Sequence, residues 1–296
     1  VVSDDLVRAS YEAFAGFHTG VYRDLGGLLA GGPGRRDVVE QGAVTARVSA
    51  AFEPFVDDAL REVVAEASPR MVLDVGCGAG LQLATMLEAA PGAEGLGVDT
   101  DEAAAALVRR TLDGRGLGGR GRVLRTDVRD LPVETAGSFD LALVANVVYY
   151  VPAEERAALL TGIGALLAPG GTLLIVTTVA TPQLFSRHFD LLLRAQEGDV
   201  SLPDAASLVT GLRRAGLLPA SRGGSRPGPR WSPWQPPGPA DPQAGPTSRA
   251  TISAESITSG SPPPGWAEPP TRNSPGTGEA FAGRRNAARP PLLEVP

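Results

Sequence analysis

Val72-Leu73-Asp74-Val75-Gly76-Cys77-Gly78-Ala79-Gly80 is the stretch that decides the fold. An apolar run ends in Asp-x-Gly-x-Gly-x-Gly, and a segment of helical period, residues 81–90, follows at once. Glycines let the backbone turn sharply and let a ligand lie against it with no Cβ in the way. A turn of this kind after the first strand of a doubly wound sheet borders the switch point where such folds bind ligands. The third glycine stands two residues after the second, and Leu81 sits where the dinucleotide fingerprint G-x-G-x-x-G needs glycine. That spacing disfavours NAD and FAD.

Outward from this turn the same pattern repeats. Apolar runs at 71–75, 96–98, 123–124, 141–144 and 173–177 alternate with helix-period segments at 81–90, 101–112 and 153–167. Short strands that are apolar on both faces, separated by helices, predict an α/β fold with a doubly wound, mostly parallel sheet. Asp101 is placed to cap its helix, and Pro169-Gly170-Gly171 stops the helix before the fifth strand. A last helix over 204–215 ends at Gly216.

The flanks differ from this core. Residues 1–66 carry Tyr11, Phe14 and Phe17 at helical spacing, then Phe52, Phe55, Val56, Ala59, Leu60, Val63 and Val64. The second group follows i, i+3, i+4, i+7 and predicts an amphipathic helix. Gly31-Gly32-Pro33-Gly34 separates the two helical parts. Beyond Leu218 the chain is rich in Pro, Gly, Ser, Thr and Arg, with 18 of the 27 prolines in residues 219–296. Such a segment buries too little apolar surface to offset an ordering cost of about 1–2 kcal/mol per residue. The expected organisation is an N-terminal helical cap (1–66), a core (67–218) and a disordered C-terminal tail (219–296). Residues 216–221 are the one start of a sixth strand, and 250–257 the only later run of even weak strand character. The sheet is therefore expected to stop early, with the fifth strand as an unpaired edge.

Composition narrows the function. Residues 1–218 hold 19 Arg against 28 acids, net −9, and the chain has no Lys. An acidic folded part argues against a nucleic-acid partner. Cys77 is the only cysteine and His18 and His188 the only histidines, which argues against a metal centre and a disulfide. No apolar run approaches the roughly 18 residues a membrane span needs. Asp4 and Asp5 stand where a secretory signal would carry basic residues, so a cytoplasmic chain is expected.

Taken together, the glycine turn and four later segments resemble the class I, Rossmann-like S-adenosylmethionine-dependent methyltransferases. The later segments are Gly97-Val98-Asp99-Thr100, Arg125-Thr126-Asp127-Val128, residues 139–146 and residues 166–175. The resemblance covers about 150 residues and lies in the combination. It implies that Asp74, Gly76, Cys77, Gly78 and Gly80 bind S-adenosyl-L-methionine. It also implies that Asp99 and Thr100 lie at the ribose, that Asp127 and Val128 lie at the adenine, and that Asn146 stands at the edge of the cofactor site. Charged acceptors on the ribose hydroxyls contribute about 1.5–3 kcal/mol each. Asp99 equally fits a helix cap, and Asp127 an exposed loop acid. Cys77 reads as a small residue whose backbone meets the cofactor, not as a nucleophile.

The acceptor is less defined. Asn146-Val147-Val148-Tyr149-Tyr150 follows the fourth strand where amino-directed relatives carry Asn/Asp-Pro-Pro-Tyr/Phe, and the two valines depart from that pattern. A small-molecule acceptor is expected. Tyr149 is a candidate pocket wall or a core residue. His18 is a candidate base or a structural histidine, and His188 is a weaker candidate for the same pocket. The rival functions are a cofactor-binding homologue that is catalytically impaired and a nucleotide-dependent oxidoreductase.

Overall fold

The computed structural model describes residues 5–40, 44, 47, 48, 53–221 and 248–254. The first helices are α1 (Asp5–Ala13) and α2 (Thr19–Leu29), joined without a break by a π-helical turn at Phe14–His18. A short α3 (Asp37–Glu40) and the longer α4 (Glu53–Ala67) precede the core.

Strand and helix then alternate: β1 (Met71–Val75), α5 (Leu81–Ala89), β2 (Glu94–Asp99), α6 (Glu102–Gly114), β3 (Gly121–Arg125) and β4 (Phe139–Ala145). After these come α7 (Arg156–Leu166), β5 (Leu167–Thr177), α8 (Leu184–Arg194), α9 (Ala205–Arg214), β6 (Leu218–Ser221) and β7 (Arg249–Ala254). The order in the sheet is β3-β2-β1-β4-β5-β7-β6. It reverses direction between β1 and β4, which is where open α/β sheets bind ligands.

Two apolar layers cover the sheet, as the period of two in its strands requires. Leu73, Val75, Ala142, Val144, Leu173 and Ile175 face α7 and α9. Val72, Leu141, Leu143, Leu174 and Val176 face α4, α5 and α6. The stripe Val56, Leu60, Val63 and Val64 buries α4 in this second layer, so α4 belongs to the core although the sequence grouped it with the cap. Phe52 lies outside the described residues.

The cap proper is α1 to α3. Phe17 and Val21 pack on Leu192 and Ala195. The Arg35 amide donates to the Ala195 carbonyl at 2.8 Å, and the Glu197 amide to the Arg35 carbonyl at 2.8 Å. Asp37, 4% exposed, receives the Arg35 guanidinium and the Gln196 amide.

The sheet does not stop at β5. Strand β7 pairs with β5 over six residues, Thr172↔Arg249 to Thr177↔Ala254, and β6 pairs with β7. The expected unpaired edge on β5 is thus covered, and two strands stand where the sequence offered one strand start at 216–221 and a weak run at 250–257. The prolines of residues 227–246 bar a partner strand close by, but β7 forms 27 residues after β6 ends, beyond that stretch. Pro219 falls in β6, the edge strand, where a missing N–H is tolerated. All pairings are parallel. The rest of the expected tail, residues 222–247 and 255–296, lies outside the described residues.

Candidate functional site

The turn after β1 is tied to β2 by its backbone. The Gly76 and Cys77 amides donate to the Val98 carbonyl at 2.8 and 3.1 Å, and the Gly80 amide to the Cys77 carbonyl at 2.7 Å. Gly76 has φ +71°, and a Cβ there would collide with the Val147 side chain. That glycine is required by the fold as well as by any ligand. At Gly78 (φ +49°) an added Cβ would meet nothing within 4 Å, so the turn faces open space there. Gly80 (φ +75°) starts α5 without a side-chain cap.

Asp99 closes the turn. Its two carboxylate oxygens accept the Gly78 amide at 2.8 Å and the Asp101 amide at 2.9 Å. The helix that follows is capped by Asp101, whose side chain accepts the Ala103 amide, so Asp99 is free of that task. Each oxygen keeps lone-pair capacity for a further donor. Thr100 is exposed beside it.

Asp74 is 2% exposed, and its Oδ2 is the one buried side-chain oxygen or nitrogen without a partner among the described residues. Burial pushes its carboxyl up to about 7; the Leu83 amide opposes this and the Asp99 charge adds to it. A buried polar atom left unpaired is rare and calls for a reason. A cationic ligand in the turn supplies one. Cys77 is 3% exposed, and burial together with the Asp74 and Asp99 charges pushes its thiol up, which keeps it unreactive.

The ends of β3 and β4 complete this side. The Thr126 amide donates to the Asp99 carbonyl at 2.9 Å, which sets Asp127 beside the β2 end. Asp127 caps the 3-10 turn Val128–Asp130 and receives both forks of Arg129, at 3.0 and 2.7 Å. Arg129 holds its carboxyl below the usual range. Val128 is buried in the layer under α7. Asn146, at φ +58°, bends the chain out of β4 and sets Val147 against Gly76. Asparagine tolerates this left-handed conformation better than most residues.

The acceptor-side candidates stand on the segment after β4, at the start of α2 and on α8. Tyr149, 5% exposed, packs edge-on to Tyr150 and Phe189 at 4.6 and 5.2 Å, within a cluster with Leu193, Val200 and Leu202. It is buried against α8 through Phe189 and Leu193. His18 and His188 are brought together, with Nδ1 of His18 3.2 Å from Nε2 of His188. Tyr22 joins them, its hydroxyl 2.8 Å from His188 Nδ1. The sequence singled out both histidines but not Tyr22, although Tyr22 is four residues past His18 on one helical stripe. Arg129 and Val147 were missed as well; Arg129, two residues after Asp127, was the more readable signal. Among the described residues no group of His, Cys, Asp and Glu is arranged to hold a metal ion, and no helix is long and apolar enough to cross a membrane.

Residues 72–171 match the family model of the methyltransferase domain. The chain is 27% identical over 181 residues to the ubiquinone biosynthesis O-methyltransferase of Bordetella avium, covering 59% of this chain and 73% of that protein. It is 35% identical over 123 residues to the demethylmenaquinone methyltransferase of Thermus thermophilus, covering 41% and 53%. An O-methyltransferase family protein from Burkholderia thailandensis shares the fold, with TM-score 0.60 and 21% identity over 72% of this chain and 66% of that one. PigF, solved with SAH, does so with TM-score 0.63 and 20% identity, over 73% and 70%.

Proposed function

Because the chain belongs to the class I S-adenosylmethionine-dependent methyltransferases, we propose that it binds S-adenosyl-L-methionine at the glycine turn and methylates a hydroxyl group of a small molecule. The observation that carries this reading is the orphaned Oδ2 of Asp74, buried beside a glycine turn that opens onto free space at Gly78. S-adenosylmethionine, when bound, supplies an electrophilic methyl group on a sulfonium.

The chain's own residues have three tasks. The backbone of Gly76, Cys77, Gly78 and Gly80 gives the ligand a floor without side chains. Asp74 offers a carboxylate to its positive charge, and Asp99, held rigid by two amides, accepts from the ribose hydroxyls. Asp127, Val128 and Thr100 flank the adenosine, and Asn146 marks the edge toward the acceptor. The remaining catalysis is positioning and exclusion of water. A base is required only for an acceptor that is protonated at working pH.

The likeness to a ubiquinone biosynthesis O-methyltransferase supports a hydroxyl acceptor. The net charge of −9 over residues 1–218 favours a small molecule over a nucleic acid. A cytoplasmic setting suits a chain whose single thiol is free and buried. An incomplete sheet was the reason to consider an impaired homologue, and β7 now pairs with β5. Side-by-side isothermal titration with S-adenosylmethionine and NAD tests the proposal. Heat of binding with the first and none with the second is expected; the reverse would make the chain an oxidoreductase.

A further inference from the structure

The chain's only two histidines, 170 residues apart, meet where the cap rests on α8. His18 ends a π-helical turn, a widened form that is rare and concentrated at functional sites. Phe17 and Val21 bury one stripe of this helix against Leu192 and Ala195. The adjacent stripe, His18 and Tyr22, faces His188. Asp190 is bound by Arg194 and the Leu202 amide, and among the described residues no carboxylate is hydrogen-bonded to either imidazole.

Three polar groups in a row can be wired in two ways. If Tyr22 donates to His188, the His188 Nε2–H donates to His18 Nδ1, and His18 presents an N–H at its outer nitrogen. If the polarity is reversed, His18 Nδ1–H donates to His188 Nε2 and His188 Nδ1–H donates to the Tyr22 oxygen. His18 Nε2 then carries a free lone pair. In both wirings the outer end is Tyr22, 52% exposed. Apolar groups that meet water flank the two histidines: Phe14, 4.7 Å edge-on to His18, and Leu184 and Phe185, one turn before His188 on α8. A flat aromatic molecule would cover them.

We propose that His18, His188 and Tyr22 form a proton-conducting chain, which takes the hydroxyl proton of an aromatic acceptor at His18 Nε2 and releases a proton to water at Tyr22. The inference rests on the proposed methyl transfer. As the O–CH3 bond forms, the C–S bond breaks with its electron pair left on sulfur, and the hydroxyl proton goes to His18 Nε2. The Nδ1 proton of His18 passes to His188 Nε2, that of His188 Nδ1 to the Tyr22 oxygen, and the Tyr22 hydroxyl proton to solvent. Burial and the neighbouring His188 lower His18 to about 4, and burial lowers His188. A base so weak accepts a proton only in passing, which is why a chain is needed and a lone histidine would not suffice.

The test compares catechol, protonated at neutral pH, with 4-nitrocatechol, already largely ionised. Tyr22→Phe and His188→Asn are each expected to lower kcat for catechol by about 10²-fold while leaving 4-nitrocatechol within about twofold. KM for S-adenosylmethionine should not move. Equal slowing of both probes, or of neither, overturns the proposal. In ¹⁵N spectra of the full chain, His18 should stay neutral to well below 6.5 and His188 should titrate below 6.5, and Tyr22→Phe should shift His188. Independent titration of both near 6.5, unchanged in Tyr22→Phe, overturns it without any turnover. A chain that binds S-adenosylmethionine but methylates neither catechol also overturns it and leaves the cofactor reading standing.

Discussion

The glycine turn and the histidine cluster assemble in opposite ways. Asp74 to Gly80 are consecutive residues, and Asp99 reaches back 21 positions to the Gly78 amide. The histidine cluster needs a cap helix and α8 to dock, with partners 166 and 170 positions apart. In the first region the backbone dictates residue type, so the sequence is bound to display it. In the second, ordinary helix positions acquire their chemistry only through packing. The turn should therefore be brittle to single substitutions, and the cluster should depend on the cap.

Gly76→Val is expected to have the largest effect. Holding a side-chain-bearing residue in the left-handed region costs about 1–2 kcal/mol, and forcing a side chain against Val147 about 1–3 kcal/mol more. Thermal unfolding should shift down, and calorimetry should register no S-adenosylmethionine binding. A simple reading of the turn as a ligand floor would leave the resting fold intact. An unchanged melting temperature would restore that reading and remove Val147 from the account.

Asp99→Ala comes next. Two charge-assisted acceptors are lost together, so S-adenosylmethionine binding should weaken by about 2–4 kcal/mol in a folded chain. The Gly78 amide also loses its partner, so some loosening of the turn is expected. Unchanged affinity in calorimetry would leave Asp99 as a loop support only.

These two sites show why the core was legible. Five strands, their helices and the Asp101 cap follow from apolar runs and turn residues that are local in sequence. The pairing of Thr172–Thr177 with residues 249–254 is not local. Only a weak strand run near Ala250 announces it, because its partner is supplied from more than 70 positions away. Tyr149 shows the same limit from the other side: an aromatic at a sheet edge reads alike as pocket wall or core. The packing partner, Phe189, comes from another helix.

Asp74 extends the comparison to pH. Its folded value, about 7, lies above the ordinary 3.8, so the folded chain holds this proton more tightly than the unfolded one. That contribution to stability is present at low pH and is lost as pH rises from about 4 to about 7. A cation beside the carboxylate favours the ionised form, so affinity for S-adenosylmethionine should rise over the same window. The slope should be at most about tenfold per pH unit. Asp74→Asn should flatten it. Calorimetry in buffers of different ionisation heat should register proton release on binding near pH 6. Equal affinity at pH 5 and pH 8 would place the positive charge away from Asp74.

The smallest effect is expected at Arg129, where the comparison can be sharpened most. Its fork on Asp127 has ideal bidentate geometry, yet the side chains are 48% and 28% exposed. Pairs this open to water contribute at most about 1 kcal/mol, and salt weakens them further. The depressed Asp127 carboxyl adds stability above its unfolded value, and this is lost as pH falls through the folded one. Arg129→Ala should remove that acid-side term and shift the denaturation midpoint slightly at neutral pH. S-adenosylmethionine affinity should hold at pH 7 and drop toward pH 4, where the released Asp127 takes up its proton. The backbone amide of residue 129 and the Val128–Asp130 turn place this carboxylate without the arginine side chain, just as backbone places Asp99. If Arg129→Ala instead weakened binding at pH 7 as much as Asp99→Ala, the third strand's end would depend on a side-chain pair. The division between a backbone-built cofactor floor and a packing-built acceptor side would then fail at Asp127.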